Sequence, residues 1–180
     1  DPRLDVTLFH PGSTELFIDQ PYSWWERQFL NPEINTAYFK YSEQEFIDGF
    51  ATDFDGGTDF ILIRYADVLL LYAEVLNEMG KTSEAYTYVD LVRQRANMEP
   101  LSTAQPGLSK DQFLEQLKHE RVVELSGEVV RFFDLKRWGM YNASNAVRDP
   151  NFATFVNGRS EVQPIPQSEL DLNSNLIFYP

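Results

Sequence analysis

RYADVLLLYAEVLNEMG, residues 64–80, is the stretch on which the fold turns. From Ile63 to Glu78 it is rich in helix-forming Ala, Leu and Glu, and Gly80 supplies a natural C-terminal stop. Thr82 or Ser83 is then placed to cap a second helix running to about Ala96, with Ala85, Val89, Val92 and Ala96 as its apolar stripe. Two helices joined by so short a turn must lie antiparallel, as an αα-hairpin. Ala66 and Ala73 on the first helix, with Ala85 and Ala96 on the second, are the expected points of close approach.

Downstream of the hairpin, Asn97 to Gly107 reads as a loop containing Pro100 and Pro106. Ser109 opens a third helix, and a fourth element surrounds FFDLKRW at 132–138. From Asn142 the tail is irregular, broken by Pro150, Pro164 and Pro166. Upstream, Pro11-Gly12, Pro21, Asn31-Pro32 and Gly56-Gly57 argue for loops and short strands. The expected fold class is therefore mainly α: a helical hairpin plus further helices, long irregular loops and few short strands. The expected segments are 1–60, loop-rich, acidic and aromatic; 61–97, the hairpin; 108–141, the later helices; and 142–180, the tail.

Bulk properties bound the function. A chain of 180 residues is long enough to bury a real core, and 43% hydrophobic with 24% charged residues is a globular composition. No apolar run approaches the roughly 20 residues of a membrane helix. No apolar leader follows a basic start, so no signal peptide is expected in this chain, and the opening Asp1-Pro2-Arg3 suggests a processed or excised fragment. Cysteine is absent, which removes disulfides and thiolate metal sites. Residues 1–60 carry 12 Asp and Glu against 3 Lys and Arg, −9 of the total −13. Phosphate backbones and anionic lipids repel such a segment, so nucleic acid is not an expected partner.

The densest group of ionisable residues is ERVVELSGEVVRFFDLKRWG, residues 120–139. At 100° per residue, Phe113, Leu117, Glu120, Glu124 and Glu128 fall on one face roughly 80° wide. Three glutamates thus share the stripe that two large apolar residues mark as core-facing. A buried carboxylate needs a partner, and Arg64, Arg93, Arg95, Arg131 and Arg137 lie on or beside the expected helices. A glycosidase reading of Glu120 and Glu124 fails on direction: successive turns of one helix project both carboxylates the same way, whereas that mechanism needs them on opposite sides of a sugar. Surrounding arginines also lower the pKa that a general acid needs raised. The stretch reads as scaffold, with no catalytic residue.

Taken in order, RYADVLLLYAEVLNEMG, VRQRAN (92–97), ERVVELSGEVVRFFDLKRWG and QPIPQSELDLNSNL (163–176) resemble the C-terminal part of the SusD/RagB family. Asp1-Pro2-Arg3-Leu4 resembles that family's mid-chain DPRL. One departure is local: the family often has FEG where this chain has Gly127-Glu128-Val129. The resemblance implies that the hairpin is tetratricopeptide-like and that the chain is the C-terminal portion of a longer outer-membrane lipoprotein of Bacteroidetes, lipid-anchored at the cell surface through an N-terminal region absent here. It also implies a non-catalytic role: capture of glycans and delivery to a SusC-like TonB-dependent transporter. The alternatives are a RagB-like peptide- or protein-binding module, or a docking scaffold for the transporter; a glycoside hydrolase ranks below both.

Other signals carry less. Gly80-Lys81-Thr82 echoes a phosphate loop, but Val75 stands where its first glycine belongs and a helix precedes it. Asp53, Asp55 and Asp59 lack EF-hand spacing, so a solvated acidic turn outranks a calcium site. His10 and His119 make no zinc motif, no G-x-S-x-G elbow is present, and no cofactor or metal is expected. The remaining candidates are aromatic. Of 26 aromatics, 13 lie before residue 61, and flat rings in loops can stack on sugar C–H faces. Tyr22, Trp24, Trp25, Tyr38 and Tyr41 are the expected ligand contacts, weighed against packing of the same rings on the helices. Trp138, inside the signature, is expected to be core.

Overall fold

The computed structural model describes residues 1–14, 21–23, 36–38, 61–142, 155–162, 165–173 and 175. They divide between two compact units, Asp1–Val129 and Val130–Pro180. The chain is mainly helical.

In the first unit the order is α1 (Arg3–Thr7), β1 (Leu8–Phe9), β2 (Ala37–Tyr38), α2 (Tyr65–Glu78), α3 (Thr82–Arg95), α4 (Leu101–Ala104) and α5 (Lys110–Glu124). The hairpin expected from sequence is α2 and α3, which pack along each other, with α5 laid against both. Gly80 closes α2 as foreseen: at φ +77° its N–H reaches the Asn77 carbonyl at 3.0 Å, while Lys81 N–H reaches Leu76 at 2.9 Å. This is a Schellman stop, which glycine enters without steric cost. Asn97 repeats it after α3, at φ +54°, with Asn97 N–H on Gln94 and Met98 N–H on Arg93. Ser109 caps α5 through a reciprocal box with Gln112.

The first helix starts at Tyr65, two residues later than expected, because Arg64 is extended and acts as its N-cap. Neither Thr82 nor Ser83 caps α3. The hydroxyl of Thr82 donates instead to Asn77 Oδ1 at 2.7 Å, and Asn77 Nδ2 donates to the Lys110 carbonyl at 2.9 Å. Fully buried Asn77 thus ties three helices at one point. The segment read as loop contains α4, which starts after Pro100 and is tied back by Ser102 N–H to Asp90.

The core of this unit is Leu69, Leu70, Ala73 and Leu76 of α2, Ala85, Val89 and Val92 of α3, and Phe113 and Leu117 of α5. Ala73 and Ala85 are fully buried, as close helix approach requires. The Tyr86 ring meets Phe113 edge-on at 4.9 Å, and its hydroxyl donates to the Gln105 carbonyl and accepts from Leu108 N–H. Near the start, β1 and β2 pair antiparallel, Leu8 opposite Tyr38 and Phe9 opposite Ala37.

The second unit holds α6 (Val130–Arg137) and α7 (Gln167–Leu172), the latter inside the tail read as irregular and started by Pro166. Phe132 contacts Phe133 and Tyr141 edge-on, and Tyr141 contacts Phe155. Trp138 is not core: it is half-buried under the Arg137 guanidinium, 4.5 Å from its ring. Arg137 also holds buried Asp134 at 2.9 Å, so this arginine serves its own helix.

Candidate functional site

Ionisable side chains converge where α1, the end of α3 and the end of α5 meet. Glu120 and Glu124 project from successive turns of α5 into the interior, with only 2% and 1% of their side chains exposed. Arg3 of α1 bonds Glu120 Oε1, and its Nη1 also lies 3.2 Å from Glu124 Oε2. Arg93 takes the other oxygen of Glu120 at 2.9 Å. Arg64, before α2, reaches Glu124 at 2.7 Å and grips both oxygens of Glu128 at 2.8 and 2.9 Å, a fork that fits a carboxylate. Arg95 contributes Nη2 to both oxygens of Glu124, at 2.7 and 2.8 Å. Asp1 completes the group on Arg3 at 2.6 Å. Four arginines therefore face four carboxylates.

The charges set one another's ionisation. Burial alone would raise the Glu124 carboxyl, but the hydrogen bond and charge of Arg64 lead a group of cations that hold it below the ordinary carboxylate range. For Arg64, burial pulls down, and the bonds to Glu128 and Glu124 outweigh it, leaving the guanidinium more firmly charged.

Glu128 shows where helical reasoning stopped short. Its burial is as expected, but α5 ends at Glu124, and Glu128 arrives through a turn in which its N–H bonds the Leu125 carbonyl. Gly127 at φ +80° and Val129 at φ +65° shape that turn. Val129 occupies the place of the glycine in FEG and takes the left-handed backbone that glycine would adopt freely, a strained choice for a β-branched residue. Two partners were absent from the sequence reading. Arg3 was seen only within DPRL, and no periodicity links position 3 to position 120. Arg121, which the helical face of Glu120 and Glu124 does not include, pairs with Asp67 at 2.8 Å from a side chain 2% exposed.

A cleft of about 480 Å³ opens beside this group, with Arg3, Arg64, Arg95 and Glu124 in its wall. Among the described residues no cluster of His, Asp or Glu is arranged to hold a metal ion. Asp53, Asp55 and Asp59 lie outside the described residues, as do Trp24, Trp25 and Tyr41. Tyr38 is described only as backbone in β2. Tyr22 is 7% exposed and packs on Phe9 with ring centroids 5.3 Å apart, so the ring offers little face to a ligand.

The SusD family model matches residues 1–180, the entire chain. The chain belongs to the SusD family. Among SusD relatives, SusD-like protein P2 of Formosa agariphila is 38% identical over 98% of this chain and 36% of its own length. SusD-like protein P25 of the same organism is 33% identical over 69% of this chain and 24% of its own length. A crystal structure of a SusD superfamily protein from Bacteroides vulgatus superposes with a TM-score of 0.75 at 25% identity, covering 97% of this chain and 38% of that one. A SusD homolog from Bacteroides thetaiotaomicron gives 0.70 at 26% identity, covering 100% and 40%. The chain thus spans about two fifths or less of the SusD relatives it matches. No helix among the described residues is long and apolar enough to cross a membrane.

Proposed function

We propose that this chain is part of a non-catalytic glycan-capture protein of the bacterial outer-membrane surface, lipid-anchored elsewhere in its length, that hands ligand to a SusC-like TonB-dependent transporter. The observation that carries the reading is the match of the whole chain to the SusD family. The ion-pair geometry supports the non-catalytic half. A glycoside hydrolase needs a carboxyl that holds a proton near neutral pH. Glu124 is instead held ionised by three guanidiniums, and both oxygens of Glu120 are taken by Arg3 and Arg93.

Trp24, Trp25, Tyr38 and Tyr41 are proposed as the ring contacts to ligand; Tyr22, packed on Phe9, is the weakest of the five candidates. The test is a glycan array followed by calorimetry on the full-length protein. Trp24→Ala and Trp25→Ala are expected to weaken glycan binding while leaving the melting temperature nearly unchanged. Loss of about 3–5 kcal/mol of stability from either change would instead mark the ring as core. Selective retention of peptides with no glycan bound would move the protein to the peptide-binding, RagB-like class.

A further inference from the structure

Beyond the aromatic segment, the cleft beside the arginines has the chemistry of a second ligand site. Its volume of about 480 Å³ falls within the ~300–1,000 Å³ usual for small-molecule pockets. Three of its lining side chains are arginines and one is a carboxylate, on a chain of formal charge −13. A chain of this net charge repels anions at long range, so an anion is held where fixed cations face it.

The arginines differ in what they have left to offer. Arg3 and Arg64 each spend all three guanidinium nitrogens on carboxylates and, for Arg64, a backbone carbonyl, so they are anchored. Arg95 gives Glu124 only Nη2. Its Nε and Nη1 make no hydrogen bond among the described residues, and its side chain is 60% exposed. Asn97 lines the same cleft from the left-handed position that ends α3, its amide likewise uncommitted among the described residues. Thr7 adds a hydroxyl, and exposed Val6 an apolar surface.

We infer that this cleft binds the carboxylate of a uronic acid unit within the captured glycan. Arg95 receives the carboxylate, Asn97 and Thr7 meet ring hydroxyls, and Val6 lies against the C–H face. Guanidinium is the side chain best matched to a carboxylate, and the mixed donors and acceptors around it suit a polyol. A free amino acid fits poorly: its ammonium would have only Glu124, already held by three guanidiniums.

The inference rests on the glycan-capture reading, and calorimetry on the full-length protein separates the two. Oligogalacturonate and oligoglucuronate are titrated alongside a neutral oligogalactoside and a polyglutamate peptide. The uronates are expected to bind, more weakly as salt is raised. Arg95→Gln is expected to weaken them about 10- to 100-fold, the worth of a charge-assisted hydrogen bond. Asn97→Gly, which keeps the backbone conformation, is expected to weaken them less. Unchanged uronate affinity in both variants overturns the inference, as does polyglutamate binding that equals uronate binding and depends on Arg95. Neutral glycan binding without uronate binding sinks this inference and leaves glycan capture standing; no glycan binding of either kind removes both.

Discussion

Replacing Glu124 by glutamine removes one negative charge from the centre of the ion-pair group and changes almost nothing in shape. The Glu124 side chain is 1% exposed and is approached by Arg3 at 3.2 Å, Arg64 at 2.7 Å and Arg95 at 2.7 and 2.8 Å. Breaking a buried pair by removing one partner typically costs ~3–5 kcal/mol. Arg3 keeps Glu120 and Asp1, Arg64 keeps Glu128, and Arg95 is exposed enough to be rehydrated. The loss therefore falls at the lower end, about 3 kcal/mol. Arg95→Gln removes a contact to the same carboxylate from the solvent side, where the cost is ~0–1 kcal/mol. Urea denaturation reads both, as a shift in midpoint at constant slope. A Glu124→Gln loss below about 1 kcal/mol, or an Arg95→Gln loss as large as that of Glu124→Gln, refutes the claim that the group is a buried structural clasp with one solvent-facing arm.

Acid should loosen the same clasp. The folded Glu124 carboxyl lies below the ordinary glutamate value of 4.5, so the unfolded chain takes up its proton first as pH falls. Its contribution is complete above that value and is lost as pH drops through the folded pKa; stability measured from pH 6 down to pH 3 should fall less steeply in Glu124→Gln. In the hairpin, Ala73→Leu and Ala85→Leu should each cost ~1–3 kcal/mol by overpacking, and wild-type thermal melting of both variants would contradict close helix contact.

The α2–α3 hairpin was legible in the sequence because its determinants are local. Helix formers, the Gly80 stop and Ser109 act within a few residues, and in the structure Gly80 ends α2 and Ser109 opens α5 as the sequence implies. The inward aim of Glu120 and Glu124 was equally local, since Phe113 and Leu117 on the same face point the helix. The short helices α4 and α7 escaped because each begins after a proline, which reads equally well as a loop breaker. The partners of the glutamates were only partly legible. Arg64, Arg93 and Arg95 were available by position, but Arg3 lies 117 residues before Glu120 and joins it only because α1 folds against α5. Glu128 reaches Arg64 through a turn instead of a helical face, because Gly127 and Val129 adopt left-handed backbone just past the end of α5. Periodicity settled which residues turn inward. Which arginine meets each carboxylate, and that Arg95 lines a cleft, depended on chain segments far apart in sequence being brought within hydrogen-bonding distance.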